Sequence, residues 1–313
     1  MFLQIAGLIA GFVLLIKAAD YLIDGSVSLA RKFHISEIAI GLTIVAFGTS
    51  APELIVNILS AFKGHPEICF GNVIGSNIFN TLMVLGIAGL ITPLFLQKDT
   101  VLKEIPFVFF GTILVLALAN NFWAEGAELS RADGIVLIFC LVMFIYYVMG
   151  IPRQAPASHH QELSMLKTLI LVFGGIIGLF LGGEFVVRNS VAIAMQIGVS
   201  EKFISLTIVA LGTSLPELVT SVIAVRKNSS DIAVGNVIGS NLFNIFLVLG
   251  VTSIIKPISY NTELNIDMMI LMLITLILFF LVVVGKLKKL NRIEAGILVS
   301  FYVFYLIYLF QRG

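Results

Sequence analysis

The chain has 313 residues, 59% hydrophobic and only 12% charged, with a mean hydropathy of +1.08 and a formal net charge of +1. A water-soluble domain carries roughly 25% charged residues, so this composition excludes a soluble globular protein. No Lys/Arg cluster is interleaved with aromatic residues, and no nucleic-acid partner is expected.

Apolar runs of about 20 residues, enough to cross a bilayer, recur along the whole length. They predict an all-α polytopic membrane protein with no soluble domain. Ten spans can be drawn, over residues 3–24, 37–62, 68–93, 104–120, 133–150, 166–186, 201–225, 232–256, 265–285 and 293–311. The first lacks a basic leader region and a small-residue cleavage pattern, so it reads as a retained span rather than a signal peptide. Cys69 and Cys140 fall in or beside spans and read as inert thiols rather than a disulfide. Glu125, Glu128 and Asp133 read as a solvated connection. The stretch IPRQAPASHHQELS, residues 151–164, is the most polar connection and divides the chain into halves 1–150 and 165–313. His159 and His160 within it read as solvated loop residues.

The two halves repeat. LTIVAFGTSAPE at 42–53 returns as LTIVALGTSLPE at 206–217, and GNVIGSNIFN at 71–80 returns as GNVIGSNLFN at 235–244. The offset is 164 throughout, and the register holds from Asp20/Glu184 to Pro93/Pro257. Five spans per half, an odd number, means that the second repeat enters the membrane from the opposite side. Such inverted repeats, with helices interrupted near the midplane, mark many secondary transporters.

Basic residues set the orientation. Arg31, Lys32, Lys98, Lys103, Arg153, Lys167, Arg226, Lys227, Lys286, Lys288, Lys289 and Arg292 fall on one side; Lys63, Arg131, Arg188, Lys202, Lys256 and Arg312 fall on the other, with Lys17 inside the first span. The positive-inside rule places the first group and the 151–164 linker in the cytoplasm and both termini outside the cell.

The repeated stretches carry the chemistry. Glu53 and Glu217 lie near the middle of spans, where a carboxylate is costly and usually functional. Pro52 and Pro216 remove a backbone donor, which predicts an interrupted turn with carbonyls around Ala46–Thr49 turned away from the helix. Thr49, Glu53 and Asn57 are four apart, as are Asn72, Ser76 and Asn80; the second repeat supplies Thr213, Glu217 and Ser221, then Asn236, Ser240 and Asn244. Four-residue spacing puts each set on one helix face, for the threonine–glutamate sets only if the turn below the proline stays helical. A pseudo-twofold would bring both glutamates to a single site. Oxygen ligands without His or Cys suit hard cations such as Na⁺ and Ca²⁺ rather than zinc or copper. Asp20 and Glu184 match by symmetry but lie near predicted span ends, in interfacial or ion-pair positions; Lys17 could snorkel or pair with Asp20.

GTSAPE with GNVIGSNIFN, and GTSLPE with GNVIGSNLFN, resemble the paired motifs of the cation/Ca²⁺ exchanger superfamily. Over essentially its whole length the chain is similar to prokaryotic sodium/calcium exchangers. The resemblance implies antiport of about three Na⁺ against one Ca²⁺ by alternating access, with no cofactor beyond the transported ions. By matching position it implies Ca²⁺ ligation by Glu53, Glu217 and the carbonyls of Thr49 and Thr213. Sodium sites would add the carbonyls of Ala46 and Ala210 and the hydroxyls of Ser50, Ser214, Ser76 and Ser240, with Asn80 and Asn244 at the middle site. Some relatives, the potassium-dependent branch among them, carry aspartate at the Asn244 or Asn80 position. Amides at both imply electrogenic exchange without a potassium requirement.

A Ca²⁺/H⁺ antiporter on the same fold and an oxygen-lined cation channel are the rival readings. No HExxH, GxSxG or phosphate-loop motif argues for an enzyme, and the partners expected are Ca²⁺, Na⁺ and the lipid bilayer, with no protein partner.

Overall fold

A computed structural model describes residues 1–121, 126–151, 163–197, 210–284 and 289–312. Its helices are α1 (Phe2–Phe33), α2 (Glu37–Thr49), α3 (Ala51–Lys63), α4 (Pro66–Ile91), α5 (Thr100–Asn120), α6 (Arg131–Met149), α7 (Met165–Gln196), α8 (Ala210–Thr213), α9 (Leu215–Arg226), α10 (Ser230–Ile255), α11 (Asn265–Val284) and α12 (Arg292–Arg312). Among the described residues, eight helices are long and apolar enough to cross a membrane; α2 and α3, bent by 42°, make a ninth if taken as one span. Of the predicted span 201–225, only the part from residue 210 onward, α8 and α9, is described.

Helices α4 and α10, which carry the GNVIGSN motifs, form the buried centre, whereas α1, α6 and α12 expose most of their apolar surface. Glycine explains how closely the centre packs. A Cβ on Gly235 would stand 2.7 Å from the Ile38 carbonyl oxygen, and one on Gly239 would stand 2.7 Å from that of Leu42. Backbone of α10 therefore lies directly on backbone of α2, the small-residue packing that membrane helices rely on where no hydrophobic effect draws them together. The long helices α1 and α7 pack along each other through glycines such as Gly25 and Gly182.

Equivalent elements recur across the halves. Both α4 and α10 widen into a π-type turn, at Asn80–Val84 and Asn244–Val248. Four two-residue strands, β1 (Leu94–Phe95), β2 (Glu128–Leu129), β3 (Ile258–Ser259) and β4 (Lys289–Leu290), pair antiparallel as β1 with β4 and β2 with β3. Each ladder joins one half to the other.

Two expectations need correction. The first span, expected over 3–24, continues to Phe33, and the sixth, expected over 166–186, continues to Gln196. Polar residues resembling a boundary are satisfied by neighbouring helices instead. Asp20 and Asp24 both lie 2.7 Å from Lys227, and Ser28 bonds Thr168 at 2.7 Å. Asp20 thus lies inside a helix and pairs with Lys227 rather than Lys17. The connection expected to be solvated keeps Glu128 exposed, within β2, while Asp133 closes a capping box with Ser130 at the start of α6; Glu125, His159 and His160 lie outside the described residues.

Candidate cation site

The site forms where two helices stop and restart. After α2 the chain breaks at Ser50, and α3 begins with Pro52 and Glu53 in its first turn; after α8 it breaks at Ser214, and α9 begins with Pro216 and Glu217. Proline belongs in a first turn, where its missing donor costs nothing. A carboxylate there is stabilised by the positive end of the helix, and the preceding carbonyls carry the opposite charge. Both glutamates are fully buried.

The two breaks face each other, and their contacts are reciprocal. The Ser50 hydroxyl donates to Glu217 Oε1 at 3.2 Å, and the Ser214 hydroxyl donates to Glu53 Oε1 at 3.2 Å. Each glutamate is thus oriented by the other repeat. Ser214 Oγ also lies 3.0 Å from Ser76 Oγ, and Ser76 lies 3.4 Å from Glu53 Oε1. On the other side, Thr49 Oγ1 is 3.2 Å from Ser240 Oγ and donates to Asn236 Oδ1 at 3.0 Å; Thr213 donates to Asn72 Oδ1 at 3.3 Å.

Behind this cluster, Asn72 Nδ2 donates to the Glu53 carbonyl at 3.4 Å and to Asn57 at 2.8 Å. Asn236 Nδ2 donates to the Glu217 carbonyl at 3.3 Å and to Ser221 at 3.0 Å. These bonds tie each broken helix to its neighbour. The four-residue spacing placed Asn57, Asn72, Ser221 and Asn236 on the right faces, and they bond one another and the backbone of the glutamates rather than the carboxylates.

Several buried polar atoms have no hydrogen-bond partner among the described residues: Oε2 of Glu53, Oε2 of Glu217, both amide atoms of Asn80 and Oδ1 of Asn244. Each is costly unless an ion or polar ligand meets it. Ala46 differs. Its carbonyl accepts the Ser50 N–H at 3.0 Å; the Thr49 hydroxyl lies 3.2 Å away but has a single proton, which the shorter bond to Asn236 Oδ1 takes. Ala210 opens α8, one turn before Ser214.

Asn77 and Asn241 lie outside the four-residue stripes yet join the two central helices. Asn77 donates to the Asn241 carbonyl at 3.2 Å and accepts from Asn244 at 3.1 Å, and Asn241 donates to Thr81 at 2.9 Å. They cross-link α4 and α10 beside the cation cluster. Their presence in both motif copies was a signal, but they fall one residue off the four-residue stripe.

Among the described residues, no three His, Cys, Asp or Glu side chains gather as a metal group. Two carboxylates ringed by hydroxyl, amide and carbonyl oxygens can hold a hard cation and strip its hydration shell.

The comparisons agree with this chemistry. Residues 3–150 and 167–311 match the family described as "Sodium/calcium exchanger protein". The chain is 38% identical to the putative antiporter CaxA of Alkalimonas amylolytica and 29% identical to the sodium/calcium exchanger MaX1 of Methanosarcina acetivorans, each over 97% of both chains. Structures of the sodium-calcium exchanger NCX_Mj soaked with Na⁺ and Sr²⁺ superpose with a TM-score of 0.84 at 29% identity, covering 98% of both chains.

Proposed function

The chain belongs to the sodium/calcium exchanger family, and from that premise we propose that it is a secondary antiporter exchanging Na⁺ for Ca²⁺ across the cell membrane by alternating access. The observation that carries this reading is the reciprocal seating of Glu53 and Glu217, each held by a serine of the opposite repeat and each keeping one buried oxygen without a partner among the described residues.

Ten spans in two inverted five-helix repeats, 1–150 and 165–313, would set the two broken helices in opposite directions at the midplane. Glu53, Glu217 and the carbonyls of Thr49 and Thr213 bind Ca²⁺. Ser50, Ser214, Ser76, Ser240 and the carbonyls of Ala46 and Ala210 complete sodium sites, with Asn80 and Asn244 in the middle. At the Ala46 carbonyl, which accepts the Ser50 N–H, sodium takes the lone pair on the side of the Thr49 hydroxyl.

Calcium and sodium share the two carboxylates, so one set of ions must leave before the other can complete its site. The switch between sides proceeds with the site occupied, because moving an empty doubly negative cluster through hydrocarbon is costly. One Ca²⁺ balances the two carboxylates. About three Na⁺ leave a net positive site, so exchange is electrogenic, and amides at Asn80 and Asn244 leave no anchor for K⁺. Both termini face outward and the 151–164 linker faces the cytoplasm. A sided cysteine-labelling experiment tests this: Glu128→Cys is expected to react with an impermeant maleimide from outside the cell and Lys98→Cys only after the membrane is opened, whereas the reverse pattern overturns the orientation.

A further inference from the structure

A cavity of about 370 Å³ opens between the first turns of α4, the start of α11 and the last turns of α12, lined by Glu67, Gly71, Asn72, Thr213, Asp267 and Tyr305 among others. Asn72 and Thr213 connect it to the cation site, because they bond each other at 3.3 Å and Asn72 bonds the Glu53 carbonyl. They are 9% and 8% exposed, whereas their counterparts Asn236 and Thr49 are fully buried. The cluster therefore has one side nearer to water, and the count of basic residues assigns that side to the exterior.

One feature of this cavity contributes nothing to the cation cluster itself. Asp267 lines it, is only 5% exposed, and is held by Arg312 Nη1 at 2.8 Å and the Tyr305 hydroxyl at 3.4 Å. Arg312 is fixed in turn, donating Nη2 to the Glu263 carbonyl at 2.8 Å. Asp267 faces the cavity that leads to the site, and Arg312 meets it from outside the cavity lining. Here an acidic group on the approach of a cation is paired with an arginine that a backbone carbonyl also holds.

We propose that the Arg312–Asp267 pair sets the electrostatic potential of this outer cavity and so determines the apparent affinity for external cations, weighting divalent against monovalent ions. The inference rests on the Na⁺/Ca²⁺ reading above. A potential acts in proportion to ionic charge, so removing the arginine charge favours Ca²⁺ by the square of the factor by which it favours each Na⁺. For a unit charge about 10 Å from the ion in water-like surroundings, the expected factors are about four-fold for Ca²⁺ and about two-fold for each Na⁺.

The test uses full-length protein in proteoliposomes, with KM and kcat measured for external Ca²⁺ and external Na⁺ in Arg312→Gln, Arg312→Lys, Asp267→Asn and the double variant Arg312→Gln/Asp267→Asn. Arg312→Gln is expected to lower both KM values in the squared ratio, leave kcat unchanged, and lose its effect when inert salt is raised, since screening shortens the reach of the charge. Arg312→Lys keeps the wild-type KM values, Asp267→Asn raises them, and the double variant returns toward wild type. Equal shifts for both ions, or altered thermal stability with unmoved KM values, reduce the pair to a packing contact and overturn the inference. Absence of sodium-driven calcium exchange in wild type would instead overturn the functional reading beneath it.

Discussion

Replacing the serines that bridge the repeats probes the cation cluster one bond at a time. Ser50→Ala removes one hydrogen bond to a carboxylate, at 3.2 Å from Glu217 Oε1. Ser214→Ala removes the equivalent bond to Glu53 and also the 3.0 Å contact to Ser76. A hydrogen bond to a charged group contributes about 1.5–3 kcal/mol and a neutral one about 1 kcal/mol. Calcium affinity should therefore fall about 10- to 100-fold in Ser50→Ala and several-fold further in Ser214→Ala, at about 1.4 kcal/mol per tenfold. Because both hydroxyls are buried, no water is at hand to replace them. Titration calorimetry of Ca²⁺ binding to the purified protein reads the affinity, and initial rates of ⁴⁵Ca²⁺ uptake give the matching KM. If both variants bind Ca²⁺ within two-fold of wild type, the cross-repeat serines do not orient the carboxylates.

The supporting shell is testable too. Asn236→Ala strips partners from the Glu217 carbonyl, Ser221 and Thr49; it should cost about 2–4 kcal/mol, seen as a lowered unfolding temperature and weakened Ca²⁺ binding together. Gly239→Val drives a side chain into the Leu42 carbonyl and the Ala46 methyl, both 2.7 Å from a Cβ; overpacking of about 1–3 kcal/mol should appear as thermal destabilisation, and wild-type stability would mean that α2 and α10 are not in close contact. Lys227→Ala frees Asp20 and Asp24, whose side chains are 37% and 39% exposed, from a lysine that is 21% exposed. Its effect on stability should stay within about 1 kcal/mol and shrink as salt is raised.

The sequence made the proposed ligand positions legible because they occur twice. A glutamate after a proline, inside an apolar run and repeated 164 residues later, has few structural explanations. Four-residue stripes also aligned Asn72 with Ser76 and Asn236 with Ser240, all buried in the structure. Which residues would meet across the repeats was not legible. The Ser50–Glu217 and Ser214–Glu53 bonds join positions 167 and 161 residues apart, and local periodicity carries no information about such pairs. Helix ends were misplaced for a related reason. Asp20, Asp24 and Ser28 look like a membrane boundary until Lys227 and Thr168 arrive from distant segments. Two-residue strands such as Leu94–Phe95 and Lys289–Leu290 are too short to leave a period of two. Asn77 and Asn241 escaped because a helix-face pattern selects every fourth residue, whereas the helix pair is cross-linked from the adjacent face.

Calcium uptake into sodium-loaded proteoliposomes, diluted into sodium-free buffer at constant pH, tests the proposed exchange most directly. Wild-type protein should accumulate ⁴⁵Ca²⁺ only while the internal sodium gradient lasts, and Glu53→Gln and Glu217→Gln should each nearly abolish uptake. Uptake that follows an imposed proton gradient and ignores sodium would contradict the proposed counter-ion. Normal sodium-driven uptake in both glutamine variants would contradict the site.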